Sequence, residues 1–149
     1  MVGQSKSGKS SYINAIRGIH DHKHPGNAKT DIVECTTEPA RYDFPGNIMV
    51  TMWDLPGAGT ANFRASEYAT KMDFPKYDAF VILSCDTFGE IDKEVADKAK
   101  ELGKPIFFAR TKMDYAMKEQ KKKLKEEFDP DTEKKKVKQN IQKEVGSTK

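Results

Sequence analysis

The chain opens on a glycine-rich stretch whose residue types and spacing suit phosphate binding. Residues 3–10 read Gly-Gln-Ser-Lys-Ser-Gly-Lys-Ser and match the pattern G-x-x-x-x-G-K-[ST] in full. In such a loop the backbone N–H groups face a phosphate, and the positive end of the following helix adds to the attraction. Lys9 can reach the β- and γ-phosphates, and the Ser10 hydroxyl can ligate Mg²⁺. We expect nine consecutive residues to contact the nucleotide: Gly3, Gln4, Ser5, Lys6, Ser7, Gly8, Lys9, Ser10 and Ser11.

Two further segments carry groups that could act on a γ-phosphate and its metal ion. Thr36 lies in a long polar loop, residues 19–37, where a threonine can close over Mg²⁺ and the γ-phosphate. Asp54-Leu55-Pro56-Gly57 follows a predicted strand. The Asp54 carboxylate can hold Mg²⁺ through water, and the Gly57 N–H can donate to the γ-phosphate. The sequence therefore predicts a metal site of Ser10, Thr36 and Asp54, with Lys9, Thr36 and Gly57 acting in catalysis.

The tetrapeptide Thr111-Lys112-Met113-Asp114 indicates which base is bound. Guanine presents an N1–H and a 2-amino group on one edge, and the Asp114 carboxylate can accept from both. Adenine has an unprotonated ring nitrogen there and no 2-amino group, so the carboxylate would be left without partners. Sites built on such hydrogen bonds reject the wrong partner by about 10⁴-fold. Lys112 can lay its stem along the base, and Thr111 belongs to the same contact segment.

Each of these motifs is weak alone, since a phosphate loop also occurs in kinases and ATPases. All three occur in order, each where the carboxyl end of a strand is expected, and together they favour a guanine-nucleotide switch. We therefore expect GTP or GDP as the bound nucleotide, with Mg²⁺ as its cofactor. An ATP-using phosphate-loop kinase is the alternative, and it predicts that ATP competes with GTP.

The elements that must position these motifs alternate between strand and helix. Apolar residues at helical spacing predict helices over 11–17 and 91–102. Short apolar or alternating runs predict strands over 41–44, 47–54, 79–83 and 105–109. Such alternation predicts an α/β fold with a mostly parallel sheet flanked by helices. We place the core of one domain at residues 1–116 and a charged helical segment of the same domain at 117–149.

Composition and charge exclude several classes of protein. Of the 149 residues, 36% are hydrophobic and 33% are charged, and no apolar run approaches the ~20 residues of a membrane span. The net charge is −1 over residues 1–111 and +4 over 112–149. A basic tail could bind a membrane or nucleic acid, but the glutamates between the lysines favour a solvated helix face. We expect a cytoplasmic protein and no nucleic-acid partner.

The chain resembles the interferon-inducible immunity-related GTPases over nearly its whole length. The matching stretches are Gly-Lys-Ser-Ser-Tyr-Ile-Asn-Ala-Ile-Arg-Gly-Ile (8–19), Ala-Lys-Thr (28–30), Val-Glu-Cys-Thr-Thr (33–37), Trp-Asp-Leu-Pro-Gly-Ala-Gly (53–59), Lys-Tyr-Asp-Ala-Phe-Val-Ile-Leu (76–83) and Ala-Arg-Thr-Lys-Met-Asp (109–114). The resemblance implies a dynamin-like G domain, homo- or hetero-oligomers formed through G domains, and cell-autonomous immunity. It also implies peripheral attachment to intracellular membranes through parts outside this chain.

The same resemblance implies that residues 1–149 are a partial G domain. The family's domain has a strand before the phosphate loop, in the middle of the sheet, whereas only Met1 and Val2 precede Gly3 here. It also has a last strand and helix, a guanine-supporting loop and flanking helical domains. We therefore expect an α/β phosphate-loop GTPase G domain truncated at both ends.

Catalysis is where the sequence departs from many GTPases. A glutamine just after D-x-x-G usually positions the attacking water, and Ala58 occupies that place here. Either hydrolysis is slow or a partner completes the site, and the resemblance favours a second G domain. Glu34 is then the candidate for acting on the water across that interface, although it is equally compatible with an ordinary exposed loop residue. The alternative function is a non-hydrolysing GTP-binding scaffold or a degraded paralogue.

Overall fold

The computed structural model describes residues 1–30, 36–59, 65–86 and 88–146. The strands are β1 (Ala40–Asp43), β2 (Thr51–Asp54), β3 (Phe80–Ser84) and β4 (Ile106–Arg110). The helices are α1 (Lys9–Ile16), α2 (Ala65–Lys71), α3 (Glu90–Glu101), α4 (Met113–Leu124) and α5 (Pro130–Gly146). Short 3₁₀ turns lie at Phe74–Lys76 and Lys125–Glu127. The predicted α/β class is confirmed.

The strands form two pairs that are joined by the first residues of the chain. β1 and β2 are antiparallel, with Arg41 opposite Trp53, whereas β3 and β4 are parallel. Between them, the Val2 N–H donates to the Val81 carbonyl at 2.9 Å, and the Leu55 N–H donates to the Met1 carbonyl at 3.2 Å. Parallel bridges at Val2 and Gln4 complete this connection. The described strands thus form one parallel pair and one antiparallel pair joined by these bridges, so a mostly parallel sheet and its truncation stay predictions.

An aromatic cluster beneath β3 holds the loops that follow the strands. Tyr68 and Phe74 pack edge to face with ring centroids 5.9 Å apart, and Phe74 lies 4.4 Å from Phe80. The buried Tyr68 hydroxyl donates to the Pro56 carbonyl at 2.5 Å, and burial raises the pKa of that hydroxyl. Because the phenol is neutral and fully packed, it fixes the Asp54–Gly57 loop to the core.

The hairpin between β1 and β2 differs from the prediction at its second strand. That strand was expected over 47–54, but β2 begins at Thr51. The Asn47 side chain accepts from the Met49 N–H at 2.9 Å, and the Asn47 carbonyl accepts from the Val50 N–H at 3.2 Å. These local bonds give the backbone an alternative to strand pairing. Residues 47–50 therefore turn, and Ile48 is left 98% exposed.

The described residues after 117 lie largely in α4 and α5, and several opposite charges pair along the surfaces of these helices. Lys122 and Glu119 lie 2.8 Å apart on α4, and Lys136 and Glu133 lie 2.6 Å apart on α5. Mixed signs at i, i+3 spacing suit a solvated helix face. Within the ranges that the structure describes, no helix has both the length and the apolar composition needed to cross a bilayer.

Gly3 is required where the phosphate loop leaves the sheet. It has φ of 143°, and a Cβ there would lie 2.2 Å from the Leu83 carbonyl oxygen. We expect Gly3→Ala to lower the free energy of unfolding by about 3 kcal/mol or more, since backbone atoms must move apart. Gly103→Ala is the control, because it also has positive φ but open space around it, and it should cost about 1 kcal/mol. Equal losses in urea denaturation would contradict the steric explanation.

Candidate nucleotide-binding site

The glycine-rich segment forms a loop that turns directly into the amino end of α1. Gly8 adopts φ of 91° just before the helix, and Lys6 has φ of 63°. The Ser7 N–H donates back to the Gln4 carbonyl at 3.3 Å. Gly8, at the N-cap position, has no side chain that could accept hydrogen bonds from the first N–H groups of α1. This arrangement can hold an anion at the helix end.

Lys9 lies within this loop and is only 6% exposed. Its Nζ donates to the Gly3 carbonyl at 3.2 Å and to the Gln4 carbonyl at 2.9 Å. The ammonium group is therefore held among the loop residues that were predicted to bind phosphate. By contrast, Ser11 is exposed on the first turn of α1.

The three predicted metal ligands meet at one carboxylate oxygen. Ser10 Oγ donates to Asp54 Oδ2 at 2.5 Å, and Thr36 Oγ1 donates to the same oxygen at 3.4 Å. Asp54 is 1% exposed, and burial raises the pKa of its carboxyl although Ser10 and Lys9 act against this. Asp54 Oδ1 is buried without a hydrogen-bond partner among the described residues.

These groups fit Mg²⁺ in their chemistry. Carboxylate and hydroxyl oxygens are the hard ligands that this ion prefers. The buried Asp54 Oδ1 provides an acceptor that the described protein atoms do not use. Thr36 and Ser10, which lie 18 and 44 positions before Asp54 in the sequence, thus bring their hydroxyl oxygens to the Asp54 carboxylate.

The segment after Asp54 packs directly on the phosphate loop. A Cβ on Gly57 would lie 2.6 Å from Ser5 Cα and 2.7 Å from Ser5 N, so only glycine allows this approach. The Ala58 N–H donates to the Gly3 carbonyl at 3.1 Å, and Ala58 is 2% exposed. The place where many GTPases carry glutamine therefore holds a buried methyl group against the loop.

The predicted base-binding segment is tied to the phosphate loop by a threonine. Thr111 Oγ1 donates to the Ser7 carbonyl, at 2.5 Å, and is 3.2 Å from the Ser84 carbonyl. Lys112 has φ of 52° and precedes α4. Asp114 lies exposed in the first turn of that helix. The Thr111 bond thus joins the start of this segment directly to the phosphate loop, and the role of Asp114 stays a prediction.

Two residues that fix the site were not identified from the sequence. The Tyr68 hydroxyl holds the Pro56 carbonyl, as described above. Asp92, in the first turn of α3, accepts from the Gly89 N–H at 3.2 Å and from Gln4 Nε2 at 3.4 Å. An acidic residue three positions after a glycine at a helix start was the available signal. Glu34, the predicted interface residue, lies outside the described residues.

Comparison with known proteins gives a family match over the entire chain. The family model described as Interferon-inducible GTPase (IIGP) matches residues 1–149. Interferon-gamma-inducible GTPase 10 of Mus musculus is 40% identical over 122 residues, which are 82% of this chain and 29% of that protein. Interferon-inducible GTPase 5 of Rattus norvegicus is 41% identical over 76% of this chain and 24% of that protein.

A human relative has a lower sequence identity, and the match covers a larger share of its length. Immunity-related GTPase family M protein of Homo sapiens is 32% identical over 114 residues, which are 76% of this chain and 62% of that protein. The chain therefore spans less than a third of the length of the mouse and rat relatives above, and less than two thirds of the human one.

Proposed function

The chain belongs to the interferon-inducible GTPase family, and on that premise we propose that it binds GTP and GDP with Mg²⁺ and hydrolyses GTP to GDP. The observation that carries the proposal is the meeting of Ser10, Thr36 and Asp54 beside a phosphate loop. These residues come from three separate segments of the chain. Their convergence is what a triphosphate site with a metal ion needs.

In this proposal the loop residues bind the phosphates. Backbone N–H groups from Gly3 to Ser11 and the amino end of α1 face the phosphate oxygens. Lys9 neutralises charge on the β- and γ-phosphates, and the hydrogen bond from its Nζ to the Gln4 carbonyl, which holds it within the phosphate loop, supports this role. The Gly57 N–H donates to the γ-phosphate, which its close approach to Ser5 supports.

Ser10, Thr36 and Asp54 would hold Mg²⁺. When bound, the ion neutralises the charge that develops on the β- and γ-phosphate oxygens. The chain's own contribution is to present three oxygens in a buried place and to keep the carboxylate oriented by two hydroxyl donors. Thr36 also couples the order of its loop to the γ-phosphate.

Base recognition belongs to the segment that begins at Thr111. Asp114 accepts from N1–H and the 2-amino group of guanine, and the stem of Lys112 covers the base. The bond from Thr111 to the Ser7 carbonyl supports this role, because it fixes the distance between the base contact and the phosphate contact. Such fixed spacing lowers the entropy lost on binding.

Hydrolysis requires a group that orients water, and Ala58 cannot supply one. We propose that G-domain self-association completes the site, with Glu34 as the contributing residue. A missing element supplied in trans can raise the rate by about 10³ to 10⁵ in GTPases. The alternative is a non-hydrolysing GTP-binding scaffold, which the buried methyl group of Ala58 favours.

The wider role follows the family. The names of the relatives describe interferon-inducible and immunity-related GTPases. We propose cell-autonomous immunity at intracellular membranes, reached from the cytoplasm through parts of the protein outside this chain. The proposed protein partners are other G domains, with which the chain forms homo- or hetero-oligomers. No nucleic-acid partner is proposed.

The experiment combines nucleotide titration with single-turnover hydrolysis across a range of protein concentrations. We expect GTP to bind in preference to ATP with Mg²⁺ present, and the rate per molecule to rise with concentration. Binding of GTP without product at any concentration would support the scaffold. Binding of GTP and ATP with equal affinity, or binding of neither nucleotide, would contradict the proposed function.

A further inference from the structure

Asp92 is a buried carboxyl group that the proposed chemistry does not use. It is 0% exposed in the first turn of α3. Oδ2 accepts from the Gly89 N–H at 3.2 Å and from Gln4 Nε2 at 3.4 Å. Oδ1 is buried with no hydrogen-bond partner among the described residues. Burial raises the pKa of this carboxyl, against the effect of its two donors. Capping α3 needs only the Gly89 contact, so the Gln4 contact calls for its own explanation.

Gln4 connects the phosphate loop to several of its surroundings. Its carbonyl accepts from Lys9 Nζ at 2.9 Å and from the Ser7 N–H at 3.3 Å. Its backbone also forms a parallel bridge with Ala58. The backbone position of Gln4 therefore sets where Lys9 lies and where the segment after Gly57 packs.

The first turn of α3 packs closely on both loops. A Cβ on Gly89 would lie 3.0 Å from Gln4 Nε2, and a Cβ on Gly59 would lie 2.3 Å from Ile91 Cδ1. A side chain at either glycine would push the Gln4 or Ile91 side chain away from its present position. The turn is therefore in direct contact with the loop that precedes Lys9 and with the loop that follows Ala58.

We propose that Asp92 is a positioning residue for triphosphate binding: through the Gln4 side chain, it fixes the carbonyl that holds Lys9 and the backbone that pairs with Ala58. The proposal rests on the proposed function, since it assigns Asp92 a role in the same site. Asp92 does not itself touch the nucleotide. It restricts the loop to the arrangement that binds phosphates, so less entropy is lost when they bind.

The first experiment measures the GTP dissociation constant of the protein and of Asp92→Ala. A lost hydrogen bond to a carboxylate should raise this constant about 10-fold. Asp92→Asn should keep it within about 3-fold, because the amide can accept from Gly89 and bond a reoriented Gln4 side chain. Glu90→Gln removes an exposed carboxylate from the same helical turn, and it should leave GTP binding unchanged.

A second control separates positioning from stability. Val95 is an apolar residue buried on the same helix, within the hydrophobic core. Val95→Ala should lower the unfolding temperature but change the GTP constant by less than about 2-fold while the protein stays folded. If Asp92→Ala and Val95→Ala weaken GTP binding equally at equal stability, Asp92 is only structural and the proposal is wrong.

Gln4→Leu tests the same contact from the loop side, and it decides the matter if Asp92→Ala does not fold. It should weaken GTP binding about 10-fold, and the double variant should be no weaker than either single variant. Unchanged binding by a folded Asp92→Ala, or by Gln4→Leu, overturns this inference alone. Failure of the unaltered protein to bind GTP overturns the proposed function and this inference with it.

Discussion

Asp114→Ala is expected to raise the GTP dissociation constant about 10³-fold or more and to abolish the preference for GTP over ATP. The methyl group leaves the N1–H and the 2-amino group of guanine without an acceptor. The phosphate loop itself is unchanged, and Thr111 still holds the base segment to the Ser7 carbonyl, so the contacts to the phosphates should remain. The variant should therefore bind both triphosphates weakly and about equally. Competition titration with GTP and ATP in the presence of Mg²⁺ measures both effects.

The matched control for this prediction is Asp78→Asn, which removes an exposed carboxylate far along the chain from the base segment. It should bind GTP as the unaltered protein does. Asp114 lies exposed at the start of α4, so its replacement should change the unfolding temperature little. A folded Asp114→Ala protein that still prefers GTP would show that another residue selects the base.

Asp54→Asn should remove the dependence of nucleotide binding on Mg²⁺. Asp54 accepts from Ser10 at 2.5 Å and from Thr36 at 3.4 Å. The amide keeps the shape of the side chain but loses its negative charge and one acceptor oxygen. Chelation of Mg²⁺ should weaken GTP binding about 100-fold in the unaltered protein. In Asp54→Asn, GTP affinity should be low already and unaffected by chelation.

Asp43→Asn is the control for the metal prediction, since Asp43 is an exposed carboxylate at the end of β1. It should retain the full effect of chelation. The experiment compares GTP titrations with Mg²⁺ and with EDTA for all three proteins, each checked for folding by circular dichroism. An Asp54→Asn protein whose affinity still falls on chelation would mean that other residues hold the ion.

The grouping of the predicted metal ligands was predictable because the motifs are local and belong to loops at one edge of a sheet, whereas their role in binding a metal stays a prediction. Ser10, Thr36 and Asp54 were assigned to one metal from their order along the chain, and the structure brings their oxygens together. The approach of Gly57 to Ser5 follows the same logic, because loops at one edge of a sheet meet. The family resemblance, which rests on these motifs, is confirmed by the match over residues 1–149.

What sequence reasoning missed depends on contacts that local pattern does not encode. Apolar residues favoured a strand over 47–50, but the Asn47 side chain bonds its own backbone and the segment turns. Asp92 contacts Gln4, a residue 88 positions away, so neither position alone indicates the bond. Tyr68 is an aromatic residue of the kind that commonly packs in a core, and only the structure reveals the hydrogen bond from its hydroxyl to the Pro56 carbonyl. The role of Glu34 stays a prediction.

The hydrogen bonds of Lys9 have a consequence for how tightly any triphosphate can be held. Its ammonium already donates to two peptide oxygens, those of Gly3 and Gln4. A phosphate that takes over either of these donors gains only the difference between the new hydrogen bond and the one it replaces. Replacing Lys9 would release both carbonyls at once, and the loss of affinity would understate the strength of the lysine–phosphate bond itself. The ammonium group of Lys9 therefore contributes both to the rigidity of the loop and to the affinity for the triphosphate.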